Sequence, residues 1–104
     1  MVKPRGRDLG LPFPGVTGVN NAITDVPGVE VGYCTRMEGN GDLVPGQWPV
    51  RTGVTAILPL GRRPDPQPVW AGMYALNGNG EMTGTHWIHD GGYFTGPICI
   101  TNTH

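Results

Sequence analysis

Residues 77–84 read NGNGEMTG, which places one carboxylate among three glycines and two asparagines directly behind the apolar run VWAGMYAL. Gly78 and Gly80 would let the backbone approach a ligand closely. Asn77 and Asn79 tolerate left-handed backbone and offer amide hydrogens. Glu81 could hold a cation or move a proton. The same residues have a plainer use: the asparagine side chains bond their own backbone in a tight turn, and Glu81 stays solvated. The glycines fit neither a GxGxxG fingerprint nor a GxxxxGK[ST] phosphate loop. On the residues alone both uses stay open, and Asn77, Asn79 and Glu81 are the candidate substrate-binding residues.

The other groups able to do chemistry point less firmly. His86, His89, Asp90 and His104 are metal-ligand types, and HWIHD gives two histidines an i,i+3 spacing that would face one way on a helix. The sequence fixes no cysteine or acidic partner for them, so no metal is assigned. Cys34 or Cys99 beside a histidine would make a nucleophile–base pair. Cys99 lies within an apolar strand, where a thiol is inert, and the expectation is two buried thiols. The chain contains no serine at all, so any serine chemistry must come from residues outside these 104.

The elements that would position these groups are short. The first 20 residues hold Pro4, Pro12, Pro14 and four glycines, too many breakers for a regular element, and are read as an extended arm. In NNAITDVPGVEVGYCT, the partial alternation of Ile23, Val26, Val29, Val31 and Tyr33 around Pro27-Gly28 predicts two short strands joined by a type II turn. Residues 36–50 form a loop. RTGVTAILPL, rich in β-branched residues, is a strand, and GRRPDPQP is an irregular turn. VWAGMYAL, apolar on both faces, predicts a central strand. Thr85 could cap a short helix ending at Gly91-Gly92, and PICIT is a last strand. One helix among so many strands leaves a sheet with an uncovered face. The chain reaches His104 straight after its final strand, so it reads as the N-terminal part of something longer.

Composition sets the outer limits. A chain of 104 residues allows one domain. Gly (18) and Pro (11) exceed a quarter of the residues, yet 38% are hydrophobic and only 14% charged, so the chain favours burial over disorder. A net charge of −1 steers toward neither nucleic acid nor an anionic membrane. No signal-peptide pattern or apolar run of membrane-spanning length is visible, and we infer a cytoplasmic protein.

Four segments taken together, NAITDVPGVEVGYCT, VRTGVTAILP, LNGNGEMTGTHWI and GPICITNTH, resemble the N-terminal part of the L-aminopeptidase/D-Ala-esterase/amidase family, which includes the β-peptidyl aminopeptidases. The resemblance runs in order from about Leu9 to His104. It implies an α+β fold, the N-terminal part of a four-layer α/β/β/α sandwich similar to the N-terminal-nucleophile hydrolases. Residues 21–104 would then be an incomplete portion of one peptidase domain behind the 1–20 arm. It also implies a hydrolase that cleaves its own backbone before a serine, works without metal or organic cofactor, and acts as a homo-oligomer on small peptides, amides or esters. The nucleophile is expected downstream of His104, in the remainder of the same polypeptide, so no catalytic residue carries over. Where the family tends to a HWIEESG-like segment, this chain has His86-Trp87-Ile88-His89-Asp90-Gly91-Gly92. By itself the chain should be inactive. The alternative is a stand-alone, non-catalytic binding or scaffold protein that keeps half of the fold.

Overall fold

A computed structural model describes residues 2–47 and 49–102. Its backbone is a long hairpin with a third strand added. Strand β1 (Glu30–Glu38) and strand β2 (Val50–Leu58) pair antiparallel from Glu30↔Leu58 to Glu38↔Val50. Strand β5 (Ile98–Thr101) joins the other side of β2, antiparallel, from Ile57↔Ile98 to Val54↔Thr101. The order β1-β2-β5 makes β2 central. Its run of β-branched residues suits a strand bonded on both sides. A second, two-stranded sheet pairs β3 (Val69–Trp70) with β4 (Tyr93–Phe94). Helix α1 (Thr85–Gly91) runs into β4.

Several features depart from the sequence expectations. The turn at Pro27-Gly28 forms, with the Val29 amide donating to the Val26 carbonyl at 3.2 Å and Gly28 at φ 86°. It does not join two strands, because Ile23–Asp25 is a 3-10 turn. The Asp25 carboxylate accepts from the amides of Asn20 (3.0 Å) and Ala22 (3.1 Å), which curls the backbone away from a strand path. From the other side, the Arg5 guanidinium donates to the carbonyls of Asn20 and Asn21. Strand β1 runs on to Glu38, three residues into the segment expected to be loop, because Arg36, Met37 and Glu38 still find partners on β2.

The largest departure is VWAGMYAL. Only Val69 and Trp70 are strand, extended by one bond from the Ala71 amide to the Gly92 carbonyl at 2.9 Å. A strand needs a partner ladder, and β4 offers two residues. Beyond Ala71 the chain is irregular, with Trp70, Tyr74 and Leu76 at 89%, 85% and 85% exposure. Helix α1 exists and stops at Gly92 as expected, but its N-cap is Gly84 in left-handed conformation, and Thr85 is the first helical residue.

Among the described residues no hydrophobic side chain is buried. Residues directly opposite one another share a face, so the register sorts the sheet. One face carries Val31, Tyr33, Met37, Ile57, Ile98 and Ile100; the other carries Gly32, Cys34, Val54, Ala56, Leu58 and Cys99. The expected burial of the thiols is therefore corrected. Cys34 and Cys99 are both exposed, because nothing among the described residues covers their face.

Candidate functional site

The loop 71–84 leaves β3 and delivers the chain to α1. Within it the Asn77 side-chain oxygen accepts the Asn79 amide at 3.0 Å, with Gly78 between them at φ 70°. This closed turn is the plainer of the two uses open to the asparagines, and it fixes the backbone just ahead of Glu81. Glu81 is exposed and makes no hydrogen bond or ion pair among the described residues. Its carboxylate is thus the uncommitted charge of the loop, while Asn77 is committed to the backbone.

Helix α1 turns the HWIHD segment into a surface. His89 meets its neighbour Asp90 at 3.2 Å, both side chains exposed, an arrangement worth little in water. Trp87 stands edge-on to Tyr93 with ring centroids 5.5 Å apart, which ties the helix to β4. No group of three or more His, Cys, Asp or Glu that could hold a metal occurs among the described residues. The candidate ligand His104 lies outside them.

The described surface also has an open groove of about 460 Å³, with Leu58, Pro59, Leu60, Val69 and Pro97 along it and Arg62 and Arg63 at its rim. Arg62 donates to the Glu30 carboxylate at 2.8 Å, pinning the 61–63 turn to the start of β1.

A polar cluster at the end of the larger sheet was missed by sequence reasoning. The Thr101 hydroxyl donates to the Gly53 carbonyl at 2.6 Å. The Thr52 hydroxyl donates to the Asn102 side-chain oxygen at 2.5 Å, and the Asn102 amide nitrogen donates to the Arg51 carbonyl at 3.4 Å. On its other side Gly53 lets β1 approach closely, since a Cβ there would sit 2.6 Å from the Cys34 carbonyl oxygen. The signal available in the sequence was a Thr-Asn pair directly after an apolar strand, but its partners lie about fifty residues earlier.

With this geometry in place, similarity to known proteins is informative. Residues 21–104 match the profile of peptidase family S58. The chain is 59% identical over 101 residues to a β-peptidyl aminopeptidase, BapA, of Sphingosinicella microcystinivorans, covering 97% of this chain and 25% of that protein. It is 53% identical to the BapA of Sphingosinicella xenopeptidilytica, covering 96% and 25%. Among solved structures it superposes on the L-aminopeptidase D-Ala-esterase/amidase of Ochrobactrum anthropi, a prototype for the serine aminopeptidases and a variant of the Ntn hydrolase fold. The TM-score is 0.81 at 64% identity, over 98% of this chain and 28% of that one. It also superposes on the PH0078 protein of Pyrococcus horikoshii OT3, with TM-score 0.80 and 42% identity, over 96% and 29%. The chain thus spans about a quarter of the length of the curated relatives it matches.

Proposed function

The chain belongs to peptidase family S58, and from that membership we propose that it forms the N-terminal part of a serine aminopeptidase or amidase that releases N-terminal residues from small peptides, amides or esters. Its fold is α+β, mostly strand with one described helix, in the Ntn hydrolase class of its structural neighbour. One observation carries the functional reading: 98% of this chain superposes, at 64% identity, on part of a prototype serine aminopeptidase, while the chain itself contains no serine. The part described here therefore contributes framework, and the nucleophile comes from the rest of the polypeptide.

Self-cleavage ahead of that serine completes the mechanism. A serine at a new chain start has an α-amino group with a pKa of roughly 7.7–8.0, a base beside its own hydroxyl. Hydrogen-bond donors must then stabilise the tetrahedral oxyanion. Glu81, exposed and unpaired among the described residues, is a carboxylate suited to a substrate ammonium, with Asn77 and Asn79 shaping the loop that presents it. Residues 1–20 are an arm and 21–104 part of one peptidase domain. Homo-oligomers of processed protomers and a cytoplasmic setting belong to the same proposal. No described helix is long and apolar enough to cross a membrane.

The test is to express these 104 residues joined to the segment that follows the matched region in the Ochrobactrum relative. Aminoacyl p-nitroanilides, D-alanyl esters and β-dipeptides serve as substrates. Two bands on a denaturing gel and turnover of at least one substrate class are expected. A folded, soluble product that neither cleaves itself nor hydrolyses any of them overturns the reading.

A further inference from the structure

Strand β5 is laddered to β2 over only four residue pairs. So short a strand is weakly fixed in register by its backbone alone. Continuing the ladder by one pair would place Asn102 opposite Gly53, and there side chains take over the bonding. The Thr101 hydroxyl reaches the Gly53 carbonyl at 2.6 Å. Asn102 bridges two β2 residues, accepting from the Thr52 hydroxyl at 2.5 Å and donating to the Arg51 carbonyl at 3.4 Å. Three bonds from two consecutive residues thus land on three consecutive residues of the central strand. Two of them end on backbone carbonyls, but the Thr52–Asn102 bond joins two side chains and so is specific to one register in a way that a backbone ladder is not. A slip of β5 by one residue would separate Thr52 from Asn102 and turn Ile98 and Ile100 to the opposite face.

We propose that Thr52 and Asn102 are positioning residues, a clip that sets the register and exit direction of β5 and so where the polypeptide that follows is delivered. The proposal rests on the aminopeptidase reading, in which the reacting serine belongs to that later polypeptide. Displacement of a reacting group by about 1 Å can cost roughly a hundredfold in rate, even when its cause is distant from the chemistry. The clip is suited to control such a displacement, because it acts at the end of the strand rather than along it.

The experiment uses the complete polypeptide. Thr52→Val removes the hydroxyl at constant shape, Thr52→Ser retains it, and Asn102→Ala removes the other half. Self-cleavage, kcat and KM are measured together with amide exchange over residues 98–101. Thr52→Val and Asn102→Ala are expected to lower kcat or self-cleavage by at least about tenfold, with KM altered less than about twofold. Exchange in β5 should quicken, and Thr52→Ser should behave as wild type. Faster exchange with unchanged kcat and self-cleavage would make the clip merely structural and overturn the proposal, as would a Thr52→Val protein indistinguishable from wild type in all measurements. A wild-type polypeptide that folds without any hydrolysis removes the aminopeptidase reading instead, which separates the two failures.

Discussion

Two carboxylates mark the extremes of what a single residue does in this chain. Asp25 accepts hydrogen bonds from the amides of Asn20 and Ala22 and from the Asn20 side chain. These donors hold its pKa below the usual aspartate value, the Ala22 amide contributing most. A depressed pKa means that the stabilisation is present above the unfolded-state value and is lost as pH falls through the folded one. An NMR titration should therefore show the Asn20 and Ala22 amide resonances moving together, with a midpoint below that of a free aspartate. A midpoint at or above the ordinary value would remove Asp25 as the organiser of this turn. Glu81 is the opposite case, a carboxylate that follows a glycine-rich loop and has no partner among the described residues. In the complete polypeptide, Glu81→Gln is expected to lower self-cleavage or turnover by about tenfold, roughly 1.4 kcal/mol at the barrier. A substrate role raises KM for substrates with a free amine and leaves self-cleavage intact, whereas a folding role slows self-cleavage on a gel. Wild-type behaviour in both assays would leave Glu81 a solvated loop residue.

At the scale of elements, legibility followed the source of the ordering. Strand β2 was readable because its β-branched residues state a local preference that the sheet then satisfies. The stop of α1 at Gly92 was readable because a left-handed cap is a local requirement. VWAGMYAL was misread because its apolar pattern reports what it is built to touch, and among the described residues only Tyr93 and Phe94 are there to pair with it. The 22–26 segment was misread for a different reason: the valine and isoleucine spacing suggested a strand, while one aspartate side chain claimed the backbone amides. Of the site, the NGNGEMTG loop was visible from its composition, but the Thr52–Asn102 contact was not, because no local signal links residues fifty apart. Gly53 tests how tightly the larger sheet is built. A methyl group there would lie 2.6 Å from a backbone oxygen of β1, which cannot swing aside as a side chain can. Gly53→Ala in the complete polypeptide is expected to cost about 1–3 kcal/mol in denaturant unfolding. Unchanged stability would mean that the β1–β2 hairpin shifts freely at this point.

The whole molecule is too open for its size. It exposes 9194 Å², whereas a compact folded monomer of this mass exposes about 5,700 Å². Its radius of gyration is 17.2 Å, against about 13 Å for a compact domain of this length. The excess of about 3,500 Å² is several times the roughly 800 Å² that one partner buries in a standard protein–protein interface. Cover on that scale resembles the interior of a fold more than the docking of a second protein. It is also distributed as a fold interior would be: both faces of the larger sheet, the apolar run after β3 and one side of α1 are all uncovered. The neighbours offer a matching quantity, since each solved structure has more than two thirds of its chain beyond the part this one covers. The 104 residues expressed alone should therefore associate through these faces, bind an apolar dye and melt without a cooperative transition. They should also leave aminoacyl p-nitroanilides intact, having no serine to react. Supplying the remaining part of an S58 polypeptide in trans should quench the dye signal before any hydrolysis appears, because burial of the faces must precede assembly of a site. A monodisperse, cooperatively melting monomer would show that these residues close a core unaided, and the part-of-a-fold reading would fall with that result.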